Sequence, residues 1–246
     1  MSRILLEVCV DDAAGIAAAA EGGADRIELC AALALGGLTP SAGLMALAAR
    51  GPLPALAMIR PRAGDFVWSP DEVEAMEAEI AATRNFGLAG VVIGASRPDG
   101  RLDGDVLARL MRAAEGMEVT LHRAVDLTPD PAEAMDLCAR LGLRRVLSSG
   151  GAATALDGAS RLRQMQGHGA TVMPGGGITA DNIAALAAEI PLTEVHASCS
   201  SPLPPPALRQ VREFGFQPPG ARGTDAAKVR ALRHALDQIS ASRPPG

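Results

Sequence analysis

Short β-branched or leucine-rich runs alternate with alanine-rich helical stretches eight times along this chain of 246 residues, and reactive residues gather at the end of nearly every run. The strand candidates are Ile4–Val10, Arg26–Cys30, Ala55–Arg60, Gly90–Ala95, Glu118–Arg123, Arg145–Ser149, Ala170–Pro174 and Glu194–Cys199. They close in EVCV, IELC, MIRPR, VIGAS, LHRAVD, LSSGG, MPGGG and HASCS. Eight strand–helix units in about 250 residues predict an α/β fold, a single (β/α)8 barrel of the TIM type over residues 1–246, whose sites lie at the carboxyl ends of the strands. Function is therefore to be read from those eight line-endings.

Cap chemistry falls where a barrel needs it. Ser69-Pro70-Asp71-Glu72 offers an N-cap, a proline at the first helical position and a capping-box glutamate ahead of Val73, Met76 and Ile80. Asp130-Pro131-Ala132-Glu133 repeats the device, and Thr39-Pro40 and Thr179-Ala180-Asp181 are weaker versions. Val229, Leu232, Leu236 and Ile239 keep helical spacing behind Thr224 or Asp225 and predict the last helix. Residues 201–223, with PLPPP and QPPG, break the rhythm just after the eighth strand. A proline-rich connection of that length is either a cover over the barrel mouth or an irregular surface loop.

Composition removes several classes of function. No apolar run approaches the roughly 18 residues that cross a bilayer, so no membrane partner is expected. The N-terminus MSRILLEVCVDD is not a secretory signal, which predicts a cytoplasmic protein. A formal net charge of −5 and scattered basic residues give no stripe for nucleic acid. The four cysteines include no CxxC pair, and HExxH is absent, so neither a disulfide framework nor a structural zinc site or zinc protease is expected. Cys138 falls inside a helix as a small hydrophobe, whereas Cys9, Cys30 and Cys199 sit at strand ends.

The segments LLEVCVDD, EGGADRIELCAALALGGLTPS, MIRPRAGDFVWS, LHRAVDLTPDP, LSSGGAATALDG and VMPGGGITADNI, in this order, resemble the CutC family of cytoplasmic proteins linked to copper homeostasis. The resemblance runs from about Leu6 to Ser198. It implies a TIM-like barrel, oligomers in at least some members, and copper as the ligand. Ala63 stands where a glycine is common, Trp68 where a tyrosine is common, and the proline-rich tail is unlike many members.

Strand alternation gives copper a physical basis. Glu7 and Cys9 share one face of the first strand, and Glu28 and Cys30 share one face of the second. Neighbouring strands lie about 4.8 Å apart, so two thiols at matching heights can approach, and thiolates suit a soft ion such as Cu(I). By resemblance, copper binding is carried onto Cys9 and Cys30; the alternative is that both thiols pack as small apolar groups. His122 or Cys199 is a candidate third ligand.

Charged residues in apolar strands form a second signal. Glu7, Glu28, Arg60, His122 and Arg123 lie in or at the ends of strands, where ions must be paired to be tolerable. Glu7, Glu28, Arg60 and His122 are expected to meet as one polar cluster, either bracing the mouth or forming an enzyme site. MPGGGIT opens a helix after the seventh strand, so Gly175, Gly176 and Gly177 are candidates to hold an anion, with Ser149 and His196 beside them. Tight turns also need glycine for positive φ, which leaves a purely structural reading open. Two functions follow. One is a copper-handling protein holding Cu(I) through Cys9 and Cys30. The other is a barrel enzyme, an aldolase, isomerase or lyase, acting on a small phosphorylated or carboxylated metabolite with Glu28, His122 and Arg60 as its catalytic residues.

Overall fold

A computed structural model describes residues 3–242 of the chain. The strands β1 (Leu5–Val10), β2 (Arg26–Leu29), β3 (Ala55–Met58), β4 (Gly90–Ile93), β5 (Glu118–Leu121), β6 (Arg145–Ser148), β7 (Thr171–Pro174) and β8 (Glu194–Ala197) form one parallel sheet in the order β7-β6-β5-β4-β3-β2-β1-β8. A single bridge between Gly175 and His196 joins β7 to β8 and closes the ring. Around it run α1 (Ala13–Gly22), α2 (Ala42–Ala48), α3 (Pro70–Asn85), α4 (Gly104–Ala113), α5 (Pro131–Arg140), α6 (Ala159–Gln164) and α7 (Ile183–Glu189). This is the (β/α)8 barrel that the alternation predicts.

Period-two alternation sorts each strand into two faces. Ile4, Leu6, Val8 and Val10, then Ile27 and Leu29, then Ala55, Ala57 and Ile59 pack outward in the main apolar core between sheet and helices. Their neighbours on the inner face are Glu7 and Cys9, Arg26 and Glu28, and Leu56 and Met58. The barrel interior is therefore unusually ionic. Arg26 Nε donates to Glu7 at 2.5 Å and its Nη2 to Glu194 at 2.7 Å. Arg145 Nε meets the same Glu194 oxygen at 2.7 Å, and its terminal nitrogens reach Glu118 at 3.3 Å and Thr120 at 3.1 Å. These ions link β5, β6, β8, β2 and β1 across the barrel, spanning the seam that only one backbone bridge closes.

Local signals account for most helix starts. Ser69 and Glu72 form a reciprocal capping box with Pro70 in the first turn of α3, and Asp130 caps α5 ahead of Pro131. Two expectations shift. α2 is capped by Ser41 rather than Thr39, because Thr39 Oγ1 is engaged by the Arg60 amide and by Glu79. α7 begins after Asn182, whose Oδ1 accepts from the Thr179 amide, so Thr179 is not its cap.

Residues 201–223 carry secondary structure of their own. β9 (Ser200–Pro202) pairs antiparallel with β10 (Arg222–Thr224), and the short α8 (Arg209–Glu213) lies between them before α9 (Ala226–Ser242). Asp225 accepts from the Ala227 amide at the start of α9, as the spacing predicts. Leu208, Phe214 and Phe216 stand exposed on this excursion. Among the described residues no helix is long and apolar enough to cross a membrane.

Glu194 is the shared counter-charge of two guanidinium groups inside the barrel. Replacing it with glutamine, Glu194→Gln, leaves Arg26 and Arg145 facing each other and should lower stability by about 3 kcal/mol. Urea unfolding with an unchanged m-value should read this loss; a change under about 0.5 kcal/mol would mean that water, not Glu194, balances the two arginines.

Candidate functional site

The inner-face residues at the carboxyl ends of the strands surround a cavity of about 230 Å³. Its lining divides into two chemically different sides.

On the β1, β2 and β8 side, Cys9, Glu28 and His196 bring their ligand atoms within 4.8 Å of one another. Register produces this meeting, since Cys9 lies opposite Glu28 on β2 and Glu7 lies opposite His196 on β8. Glu7 Oε1 holds His196 Nδ1 at 2.8 Å, which aims Nε2 toward Glu28 Oε2, 3.9 Å away. Burial alone would raise the Glu7 acid, yet the hydrogen bond to His196 and the Arg26 charge overcome it and hold the group at about 2. Burial likewise works against a charged His196, but Glu28 and Cys9 beside it push its pKa up. Glu28 is raised chiefly by its own burial. One of its oxygens, Oε1, is buried with no partner among the described residues.

Cys30 is not one of the three convergent ligands. It is fully buried beside Leu56, Met58 and Val92, and its thiol donates to Glu28 Oε2 at 3.5 Å. Burial first, and then the Glu28 charge, hold this thiol well above its ordinary pKa. Cys199 is buried with a backbone φ of 43°, and burial raises its thiol to about 12. Cys138 packs inside α5 as a small hydrophobe, as its helical position implies.

The opposite side is built from Arg60 and His122. Both rings of contact rest on Phe66, which lies 5.1 Å from the Arg60 guanidinium carbon and 4.6 Å, centre to centre, from the His122 imidazole. The single cluster expected of Glu7, Glu28, Arg60 and His122 is thus split. Among the described residues Arg60 meets no carboxylate; its terminal nitrogens donate to the carbonyls of Leu35, Gly37 and Gly64. Leu35 and Gly37 belong to the loop after β2, whose backbone carbonyls claim the guanidinium before any strand carboxylate can. His122 Nδ1 accepts from the Ala124 amide, so Nε2 carries the proton, and that N–H has no partner among the described residues. Burial, with Arg60 nearby, lowers the His122 pKa to about 3 and keeps the ring neutral.

The glycine-rich turns differ from one another. Around SSGG, the donors expected for a ligand are taken by Asp126, which accepts from Ser148 Oγ, the Ser149 amide, the Gly151 amide and Arg123 Nε. Arg123 also bonds Ser149 Oγ at 2.6 Å, so Arg123 and Ser149 serve this internal carboxylate. Gly175 closes the barrel and donates to Ser148 O, whereas Gly176 and Gly177 line the cavity in left-handed conformations. Arg26, Arg145, Glu194, Glu118 and Asp126 were not singled out from the sequence. Arg26 was within reach, because it shares the Glu28 face by period two; Asp126 was not, since nothing local says that a 3-10 turn will swing it into the next loop.

Comparison with known proteins places the chain in a family. The CutC family profile matches residues 4–201. The family protein CutC of Rhizobium meliloti is 56% identical over 244 residues, covering 98% of this chain and 99% of the relative. That of Caulobacter vibrioides is 49% identical over 238 residues, covering 95% of this chain and 97% of the relative. The crystal structure of CutC from Streptococcus agalactiae, a protein whose name assigns it to copper homeostasis, superposes with a TM-score of 0.75 at 27% identity, over 79% of this chain and 98% of that one. A 3-keto-L-gulonate-6-phosphate decarboxylase from Vibrio cholerae superposes with a TM-score of 0.60 at 13% identity, over 97% of this chain and 99% of that one, a likeness of fold alone.

His122 makes a pH prediction. The unfolded chain takes up a proton near the ordinary value of 6.5, but the native imidazole resists until about 3. Acidification between those values therefore favours unfolding, by up to about 1.4 kcal/mol per pH unit. His122→Phe keeps the ring contact and removes the proton. Between pH 6.5 and 5, urea unfolding should show the native protein losing about 2 kcal/mol more than the variant; equal losses would place the imidazole in water.

Proposed function

Because the chain belongs to the CutC family, we propose that it is a cytoplasmic copper-handling protein that binds Cu(I) at the barrel mouth and releases it without chemical turnover. The observation that carries this reading is the convergence of Cys9, Glu28 and His196 within 4.8 Å on three adjacent strands. A thiolate and an imidazole are soft and intermediate donors of the kind that Cu(I) prefers. Glu7 behaves as an outer-shell carboxylate, fixing the tautomer and direction of His196 at 2.8 Å.

Cys30 supplies the second thiolate. Its thiol lies 3.5 Å from Glu28 Oε2, and a soft ion favours sulfur over a carboxylate oxygen, so exchange of Glu28 for Cys30 is the favourable direction. Glu28 is placed to receive the Cys30 proton in that exchange. Its raised pKa suits it to hold a proton, and the S–H bond that breaks is replaced by an O–H bond on the neighbouring acid. The buried, balanced ions beneath the site keep these donors at fixed heights.

Anaerobic titration against a Cu(I)-selective chelator tests this reading. Cys9→Ser should weaken Cu(I) by more than the roughly 10–100-fold typical of losing an outer-shell partner, and Glu7→Gln should fall within that range. Cys30→Ser should weaken it more than Glu28→Gln does. Cys138→Ser should leave it unchanged. Wild-type stoichiometry and affinity in the Cys9→Ser/Cys30→Ser double variant would overturn the assignment.

A further inference from the structure

The copper reading uses one side of the cavity and leaves the other unexplained. Arg60 is 6% exposed, and its guanidinium has no acidic partner among the described residues. A buried cation held only by neutral carbonyls is costly, because those dipoles do not supply the missing charge. Three carboxylates of the barrel are committed, Glu7 to Arg26 and His196, Glu194 to Arg26 and Arg145, and Asp126 to Arg123 and the SSGG amides, while Glu28, whose Oε1 has no partner among the described residues, stands on the thiol side of the cavity and makes no ion pair with Arg60. Arg62, the charged residue that most affects Arg60, is itself a cation.

Two N–H groups on this wall have no partner among the described residues. Arg60 Nε and His122 Nε2 are both buried and unsatisfied, in side chains that line the same cavity and pack on the same Phe66 ring. One is cationic and the other is a neutral donor whose tautomer is set by the Ala124 amide. Paired unsatisfied donors beside an unbalanced positive charge call for an anion with two acceptor oxygens. The cavity, at about 230 Å³, lies below the roughly 300–1,000 Å³ of pockets for drug-sized ligands, which limits the occupant to a small molecule.

We propose that the Arg60 and His122 wall of the barrel mouth binds the carboxylate of a small organic acid, at a site distinct from the thiol side. The acid supplies the counter-charge that Arg60 lacks and the acceptors that both N–H groups lack. A carboxylate fits better than a phosphate, since Asp126 already occupies the additional donors of Arg123 and Ser149 that a phosphate would require. The remainder of the acid then faces Cys9, Glu28 and His196 across the cavity.

The test uses the full chain freed of copper, with acetate, glycolate, pyruvate and inorganic phosphate as probes at constant ionic strength and chloride as the control. Thermal unfolding and calorimetric titration should show saturable stabilisation by at least one monocarboxylate. Arg60→Met and His122→Phe should each weaken that binding by at least about tenfold, the loss of one charge-assisted hydrogen bond. Arg60→Lys keeps the charge but not the planar fork, and should retain folding with intermediate affinity. Because the protein is freed of copper, failure of the copper reading leaves this result intact, and Cys138→Ser, in the helix layer away from the cavity, should bind the acid as the native protein does. The proposal is overturned if no carboxylate stabilises more than chloride, if phosphate binds more tightly than every carboxylate, or if Arg60→Lys and His122→Phe bind the acid with native affinity.

Discussion

The thiol side of the mouth depends on a chain of charges that runs from the exposed Glu118 into the barrel interior. Glu118, Arg145, Glu194, Arg26, Glu7 and His196 follow one another by direct contact, from the amino ends of the strands up to the candidate metal ligands. Such a chain is a poor source of net stability, because each ion gives up its hydration. Its value lies in placement. A one-residue slip of β2 would turn Arg26 toward the helices and take its guanidinium away from Glu7 and Glu194, so the ion chain and the apolar outer face specify the same register.

That register decides the chemistry above it. With Glu7 opposite Arg26 and His196, Cys9 falls opposite Glu28, and the three donors meet without help from any loop. The charge below also sets the protonation above, since His196 and Arg26 hold the Glu7 pKa at about 2 against its burial. Across the cavity no equivalent chain exists among the described residues. Loop carbonyls hold Arg60, and burial keeps His122 neutral, so the mouth has a donor-rich positive wall facing a thiol and carboxylate wall.

Asp126 shows how such a fold can satisfy an apparent ligand site from within. The SSGG turn presents the hydroxyl and amide groups that commonly receive an anion, and the chain supplies its own carboxylate to them. The glycines after β7 are different, because Gly176 and Gly177 face the cavity while Gly175 is spent on closing the ring. Glycine-rich motifs of similar appearance therefore divide between architecture and lining according to what their neighbours bring.

The barrel was legible in the sequence because its determinants are local. Alternation of period two against helical spacing, the Ser69 and Asp130 caps and the eightfold rhythm each act within a few residues, and the structure follows them closely. Cys9, Glu28, Arg60 and His122 could also be picked out as strand-end residues on inner faces. Which of them would meet was not local. Adjacent strands fix heights, but the partner of a buried ion is whichever group reaches it first in three dimensions. Glu7 went to Arg26 and His196, Arg60 to the carbonyls of Leu35, Gly37 and Gly64, and the SSGG donors to Asp126. Sequence determined the layers and the inventory of reactive groups; only the closed barrel decided their pairing, because electrostatic and hydrogen-bond partners are set by distance through space and not along the chain.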